Sequence, residues 1–230
     1  MHSTCVALGF VGMPCEDADA DGLTDAWEDA ALDRLRPFVV LDEDEQLVSE
    51  PGFEVGIAGR VAQVGQAIHV YMMFGYAKDF GSCGGFTSHN GDSERVALEL
   101  MPLPDGGAGD WQIAKAYTAA HEGTANDKGR VFAGGDLGML TFADDPAIGE
   151  PRWSVYSSAT RRATYGSIAS CEGVSFLPCF DEDCAPDGVE PGPYTLLFDY
   201  VNAGEESAPM VSDLAVIGFA GEDAWADQKF

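Results

Sequence analysis

The feature that most constrains the fold is a two-residue alternation of apolar side chains, which recurs in several short segments. In the clearest segment, residues 68–76, every second side chain is large and apolar. Because successive side chains of a β-strand point to opposite faces, this period predicts a strand with at least one buried face. The same period predicts further strands at 96–100, 111–117, 153–157, 194–200 and 214–219.

A run of alternating acidic residues lies near the N-terminus and reads D-A-D-A-D-G-L-T-D-A-W-E from Asp17 to Glu28. Its spacing is that of an EF-hand-like calcium loop, where oxygens at positions 1, 3, 5, 7, 9 and 12 surround the ion and a glycine at position 6 makes the turn. Without a cation these carboxylates repel one another strongly, although a solvated acidic loop is the alternative. The predicted metal ligands are Asp17, Asp19, Asp21, the carbonyl of Leu23, Asp25 and Glu28.

A short helix is predicted at about 25–36, directly after this loop. Asp25 can cap it and Glu28 completes a D-x-x-E capping box, while Pro37 ends it. Since proline and glycine residues precede the loop, no matching helix is expected before it. The motif therefore resembles the lone calcium loops of secreted proteins, such as thrombospondin type 3 and dockerin repeats, and a structural calcium ion is expected. The helix buries residues at helical spacing, namely Trp27, Ala31 and Leu35.

Glycine and proline clusters punctuate the rest of the chain, at 81–91, 104–110, 133–138 and 185–193. Long helical periods are scarce outside the one helix. The predicted fold is therefore mainly β, a β-sandwich with irregular loops and a short N-terminal calcium loop plus helix. We expect residues 1–37 to form the calcium loop and helix segment and residues 38–230 to form the β-sandwich domain.

The chain is strongly acidic, with 39 acidic residues against 12 basic ones and a formal net charge of -27 at pH 7. This balance argues against nucleic acid as a partner, because neutralising phosphates needs clustered Lys and Arg. An anionic membrane surface would also repel the chain unless cations bridged the two. Two interpretations of the acidity remain: some carboxylates hold divalent cations, or the acidity is a generic solvated surface, which is the expectation for acidic residues outside the motif.

Six cysteines, at positions 5, 15, 83, 171, 179 and 184, make an even count without a CxxC pair. Local disulfide bonds are therefore predicted, which place the chain in a secreted or extracytoplasmic compartment. The pairing itself stays open. No transmembrane segment is expected, since no stretch approaches the roughly 18 apolar residues that a spanning helix needs. The apolar residues 6–13 are too short and lack a preceding basic residue, so they fail as a signal peptide.

A second candidate site lies in residues 88–95, which read S-H-N-G-D-S-E-R and run into the predicted strand at 96–100. Asp92 and Glu94 share parity with the apolar residues of that strand, so both carboxylates should lie on its buried side. Such acids need a cation, a basic partner or an open cleft. His89 and His121 are candidates to join a cation site, whereas pairing of the acids with Arg95 or Arg162 is the alternative.

The run from His89 to Val96, H-N-G-D-S-E-R-V, resembles the H-x-G-D-W-E-x-V element of a vacuolar-sorting-associated family. It is more distantly similar to the H-D-W-E element of necrosis- and ethylene-inducing-like cytolysins, and residues 35–45, 119–124 and 155–165 resemble further family elements. The resemblance implies a β-sandwich with a divalent-cation pocket, which the cytolysins use to engage lipid headgroups. Ser93 replaces the family Trp and Arg162 stands where a His is expected, which weakens a catalytic or cytolytic role. The implied pocket residues are Asp92, Glu94, His89 and His121.

The leading functional hypothesis is a secreted calcium-binding protein with a second pocket for a divalent cation or a polar ligand. One alternative is a metal-assisted hydrolase in which that pocket holds a cation that activates water; another is a membrane-lipid-binding cytolysin. The chain lacks G-x-S-x-G, H-E-x-x-H and P-loop motifs, so we assign no catalytic residue and no organic cofactor. Core packing is the default expectation for Trp111, Trp153 and Tyr165, and a surface that binds a carbohydrate or lipid headgroup is the alternative.

Overall fold

The structure is a computed structural model of the 230-residue chain. It describes residues 16–18, 22–41, 56–79, 81, 85, 88–105, 110–121, 127–158, 161, 163–171, 182, 184 and 200–202. Two α-helices, α1 (Asp25–Leu35) and α2 (Ile168–Cys171), and one 3-10 helix (Gly134–Met139) occur among them. The strands are β1 (Phe38–Val40), β2 (Gly56–Val64), β3 (Ala67–Asp79), β4 (His89–Pro102), β5 (Trp111–Thr118), β6 (Arg130–Ala133), β7 (Thr141–Asp145), β8 (Glu150–Ser157), β9 (Thr164–Tyr165) and β10 (Tyr200–Asn202).

The strands form two sheets. The larger has six strands in the order β10-β2-β3-β4-β5-β6, and every pair is antiparallel except β10 with β2. The smaller has the order β1-β8-β7, with β9 paired to the last two residues of β8. In the smaller sheet β1 runs parallel to β8, although they lie more than a hundred residues apart in sequence.

The prediction of a mainly-β fold is confirmed. The alternating segments at 68–76, 96–100, 111–117 and 153–157 lie within β3, β4, β5 and β8. The turn predicted at 81–91 is too long, because β4 begins at His89, which already pairs with Asp79 of β3. The segments at 194–200 and 214–219 fall outside the described residues, apart from Tyr200 at the start of β10.

Both sheets contribute to one hydrophobic core. Val155 and Trp153 of the smaller sheet belong to the same buried cluster as Val70 and Leu98 of the larger one. Trp153 is 3% exposed and Tyr165 is 1% exposed, so core packing accounts for these two aromatic residues. On the other face of the larger sheet, a second cluster contains Tyr71, Ala97, Tyr117 and Ala119, so β3 is buried on both faces.

Helix α1 packs on the larger sheet through Leu32, which is 2% exposed. A Cβ atom built on Gly59 of β2 would lie 2.6 Å from Cδ2 of Leu32, so only glycine lets the helix come this close. Glu28 is also buried, while Trp27, Ala31 and Leu35 are only partly buried against the core. The helix therefore shares the core of the sheets, and the expected division at residue 37 stays a prediction.

Arg152 of β8 fastens the C-terminal end of α1 to the smaller sheet. Its Nε donates to Oδ2 of Asp145 at 2.6 Å, and both side chains are at most 2% exposed. Its Nη1 donates to the carbonyls of Asp33 at 2.7 Å and Arg36 at 2.8 Å. The last carbonyls of a helix have no partner within the helix. This one guanidinium therefore satisfies helix carbonyls and a buried carboxylate together.

One disulfide bond, between Cys171 and Cys184, lies among the described residues, with Cα atoms 6.0 Å apart. The other cysteines, at 5, 15, 83 and 179, fall outside those residues. This bond agrees with the prediction of a local disulfide, since only 13 positions separate the two residues. Among the helices described here, none is both long and apolar enough to span a bilayer.

Candidate functional site

The first candidate site is the acidic loop before α1. Oδ2 of Asp17 accepts a hydrogen bond from the amide of Gly22 at 3.2 Å, and Gly22 has a φ of 101°, a conformation that favours glycine. Oδ1 of Asp25 accepts from the amide of Ala18 at 2.9 Å. The carboxylates at loop positions 1 (Asp17) and 9 (Asp25) thus accept hydrogen bonds from backbone amides of the loop, and these bonds bring its two ends together.

The same loop withdraws acidic oxygens from solvent. Oδ1 of Asp17 is buried and has no hydrogen-bond partner among the described residues. The side chain of Glu28, at loop position 12, is 0% exposed, and Leu23 at position 7 is 2% exposed. Asp19 and Asp21 fall outside the described residues. Gly22 thus makes a turn at loop position 6 and Glu28 is buried at position 12, while cation binding by the loop stays a prediction.

The predicted cap of α1 is wrong. The N-cap residue is Thr24, and no side chain makes a capping hydrogen bond at this end. Asp25 is instead the first residue of the helix, with its carboxylate bonded back to Ala18. The amide of Asp25 donates to the carbonyl of Glu16 at 2.9 Å, and closing the loop in this way moves the start of the helix by one residue.

The second candidate site is the N-terminal end of β4, which pairs with the C-terminal end of β3. The register places His89 opposite Asp79, Asp92 opposite Tyr76 and Glu94 opposite Phe74. Glu94 is 5% exposed, which agrees with the prediction that it lies on the buried side with the strand's apolar residues. The structure describes the backbone of His89 and Asp92 but not their side chains.

Asp79 adds a carboxylate that the sequence analysis did not include. It is 8% exposed at the end of β3, and its Oδ1 accepts a hydrogen bond from the amide of Gly81. It pairs with His89, five residues along β4 from Glu94, which is about 17 Å in an extended strand, so Asp79 and His89 do not share one site with Glu94. Asp79 is the last residue of β3 and lies in no motif of the sequence, so only the pairing of β3 with β4 shows where its carboxylate lies.

Of the two arginines proposed as ion-pair partners for these acids, the structure describes only Arg95. Arg95 lies over the ring of Tyr117, with 5.6 Å between Cζ and the ring centroid. Arg95 and Glu94 are consecutive strand residues, so they occupy opposite faces of β4. Arg162 falls outside the described residues.

His121 lies at the same end of the sheet. Ala119, two residues before it, donates its amide to the carbonyl of Arg95 at 2.8 Å and so extends the pairing of β5 with β4. His121 has a φ of 54°, in the left-handed region that a residue with a side chain rarely adopts. Nε2 of His121 is in hydrogen-bond contact with Oε1 of Glu182. A cation could therefore reach this imidazole only through its other ring nitrogen, Nδ1.

The sequence analysis missed a charged cluster centred on Glu182. We call it the Glu182 cluster, and its members are Glu182, His121, Lys128, Arg161 and Tyr165. The side chain of Glu182 is 1% exposed, and its Oε1 lies 3.2 Å from Nη1 of Arg161 and 3.9 Å from Nζ of Lys128. The hydroxyl of Tyr165 donates to Oε2. The only sequence signal was indirect, namely that Glu182 lies two residues before Cys184, in a segment crowded with cysteines.

No group of three or more His, Cys, Asp or Glu side chains is arranged to hold a metal ion within the part of the chain that the structure describes. That part omits Asp19, Asp21 and the side chains of His89 and Asp92. Both predicted cation sites therefore keep some ligands outside the described residues, and both stay predictions.

No protein-family model and no curated protein sequence matches the chain. Among solved structures it is similar to "Toxin fold for microbial attack and plant defense", at 14% identity and a TM-score of 0.39 over 72% of this chain and 88% of that one. It is also similar to "NLPPya in complex with glucosamine", at 14% identity and a TM-score of 0.38 over 73% and 88%. A third is "Crystal structure of non-toxic HaNLP3 protein", at 11% identity and a TM-score of 0.36 over 74% and 89%. These are necrosis- and ethylene-inducing-like proteins, and the likeness is distant in each case.

Proposed function

We propose that this protein is an extracytoplasmic calcium-binding protein in which a structural Ca²⁺ holds the loop Asp17–Glu28 and thereby fastens α1 to the sheets. The observation that carries the proposal is the carboxylate of Asp17. One of its oxygens accepts a hydrogen bond from Gly22, while the other is buried without a donor among the described residues. A buried carboxylate oxygen without a donor is costly. A cation at the centre of the loop would remove that cost.

The donor set suits calcium. The carboxylates of Asp17, Asp19, Asp21 and Asp25, the carbonyl of Leu23 and both oxygens of Glu28 would supply hard oxygen ligands, which Ca²⁺ binds in flexible geometry. Glu28 is fully buried at loop position 12, where the bidentate ligand of such a loop lies, which supports this assignment. The site is structural because its last ligand is on α1, whose Leu32 packs on Gly59 of the larger sheet.

Calcium is expected to raise the melting temperature of the protein. A ligand that binds only the native state stabilises it by about 2.7 kcal/mol at a hundredfold excess over its dissociation constant, equivalent to roughly 5–10 °C for a chain of this size. The measurement is a pair of thermal melts, in excess calcium and in excess chelator. Coinciding melting curves would sink the proposal.

Two variants with the same charge change locate the effect. Glu28→Gln is expected to abolish the calcium-dependent rise in melting temperature, because it removes the bidentate ligand. Glu16→Gln is the control, since Glu16 is exposed just before the loop and contributes its backbone carbonyl, not its side chain, to loop closure. An equal loss of calcium response in both variants would mean that general acidity, not this loop, binds the ion.

We propose further that the N-terminal end of β4 forms a second divalent-cation site, built on Asp92 and Glu94, which are two positions apart on the strand, with His121 at the same end of the sheet. The burial of Glu94, which is 5% exposed, supports it, because a nearby opposite charge favours the ionised form of a buried carboxylate. Titration calorimetry is expected to count two bound cations in the wild type and one in Glu94→Gln, with the calcium-dependent melting rise intact. A wild-type count of one, unchanged by Glu94→Gln, would contradict the second site and leave the first untouched.

A further inference from the structure

A cleft at the opposite end of β4 has no part in the calcium proposal. Its cavity measures about 550 Å³ and opens between α1, the ends of β4 and β5 that meet near Leu103 and Trp111, and strands β7 and β8. Leu100, in its wall, is six residues from Glu94, which is about 20 Å along an extended strand. The volume falls within the range of small-molecule pockets. The cleft is therefore a separate candidate for ligand binding.

The walls of the cleft are aromatic and aliphatic. Three of the four tryptophans of the chain, Trp27, Trp111 and Trp153, line it. At its edge Phe142 is 45% exposed and Leu103 is 40% exposed, which is unusual for side chains of this size. Large apolar side chains exposed around a concave surface mark a binding site. Such walls select a ligand with a hydrophobic body.

The charged side chains of the cleft indicate which sign of charge the polar end of that ligand carries. Its two arginines are each engaged by a carboxylate: Arg34 with Glu150 at 2.5 Å and Arg152 with Asp145 at 2.6 Å. An anionic head group would have to displace one of these carboxylates. The pair of Arg34 with Glu150 adds no net charge to the lining, whereas Asp110 adds a carboxylate, the chain as a whole carries -27, and indole faces attract cations. Charge complementarity therefore favours a cationic end.

We propose that this cleft binds a small hydrophobic organic cation, in which an amine or quaternary ammonium group is joined to an aliphatic or aromatic body. The body packs against the tryptophan walls and the cationic end lies towards Asp110.

Intrinsic tryptophan fluorescence tests the proposal directly, because three of the four tryptophans line the cleft. The variant Trp225→Phe leaves only the three indoles that line the cavity. Decyltrimethylammonium, decanol and decanoate, used below the concentrations at which they self-associate, share one chain length and differ in head-group charge. A saturable change with the cation is expected, with decanoate binding at least about tenfold more weakly. No saturable change, or decanoate binding as tightly, overturns the proposal.

Substitutions at exposed positions test whether the ligand binds in the cleft, because they leave the core unchanged. Phe142→Ser is expected to weaken decyltrimethylammonium about tenfold, whereas Val64→Ser, at a 50% exposed residue outside the cleft, should leave it unchanged. Ala30→Lys at the exposed edge of the cleft should weaken the cation and strengthen decanoate, and Val64→Lys is its control for charge. The proposal is overturned if substitutions inside and outside the cleft change ligand affinity equally. It is also overturned if the fluorescence change depends on protein concentration alone, because that would indicate association with a second copy.

Discussion

Replacing Arg152 with leucine is expected to lower the free energy of unfolding by about 3–5 kcal/mol, because it leaves the carboxylate of Asp145 buried without its ion-pair partner. Both side chains are at most 2% exposed, so water cannot take over the interaction. The substitution also removes the donor to the carbonyls of Asp33 and Arg36 at the end of α1. Urea denaturation measures the loss as a lower transition midpoint at unchanged slope.

The control for this prediction is Arg34→Leu. Arg34 pairs with Glu150 at 2.5 Å, but the two side chains are 63% and 52% exposed. An exposed pair of this kind contributes at most about 1 kcal/mol, so the loss should be correspondingly small. A loss for Arg152→Leu that is no larger than the loss for Arg34→Leu would contradict the role assigned to the buried pair.

The same pair gives the stability of the protein a pH dependence in acid. Burial alone raises the pKa of Asp145, but the amide of Ala147, the hydrogen bond from Arg152 and the charges of Arg152 and Arg36 together hold its pKa below the ordinary value. A lowered native pKa contributes stability above the unfolded pKa of about 3.9, which is lost as the pH falls through the native pKa. The stability difference between wild type and Asp145→Asn should therefore narrow below about pH 4. A difference that stays constant down to pH 2 would contradict the lowered pKa.

Replacing Glu182 with glutamine is expected to cost about 2–4 kcal/mol, because it removes the negative charge around which the basic groups of the Glu182 cluster gather. The side chain of Glu182 is 1% exposed and that of Arg161 is 11% exposed, so solvent screens their charges little. His121, Lys128 and Tyr165 contact the same carboxylate. The change is isosteric, so a measured loss in urea denaturation reports charge and not a cavity.

Two comparisons sharpen this prediction. Glu99→Gln removes a carboxylate that also lies between a histidine and a lysine, 3.2 Å from His69 Nε2 and 3.0 Å from Lys115 Nζ, but Glu99 is 15% exposed. Its loss should be smaller, about 1 kcal/mol. The double variant of Glu182→Gln with Arg161→Gln should lose less than the sum of the single losses, since the second change removes a charge that the first left unbalanced. Strict additivity would show that the two groups are not coupled.

The strands at 68–76 and 96–100 were predictable because a strand that packs on a core repeats its apolar residues with period two. That pattern also located Glu94 on the buried side of β4, since parity fixes the face of each residue once the strand is known. Strand β2 was not predicted, because its sequence does not keep the period of two. The sequence G-I-A-G-R-V-A-Q-V places small residues where α1 packs, so the apolar alternation is broken at Gly59.

The cap of α1 was mispredicted because two roles competed for one side chain. Asp25 has the spacing of an N-cap residue and the position of a loop carboxylate, and local sequence cannot decide between them. In the folded loop its carboxylate bonds to the amide of Ala18, and Thr24 takes the capping position. Loop closure therefore outweighed local capping preference.

The sequence by itself determined the mainly-β class, the helix after the acidic loop, the loop spacing and the face of Glu94, because each depends on residues within about a dozen positions of one another. Only the tertiary structure decided which distant groups meet. Arg152 reaches carbonyls 116 to 119 residues away, and Glu182 reaches His121 across 61 residues. The three tryptophans of the cleft come from α1, β5 and β8. The physical reason is that periodicity records only whether a residue faces the core, whereas its partner is set by how the sheets and α1 stack on one another.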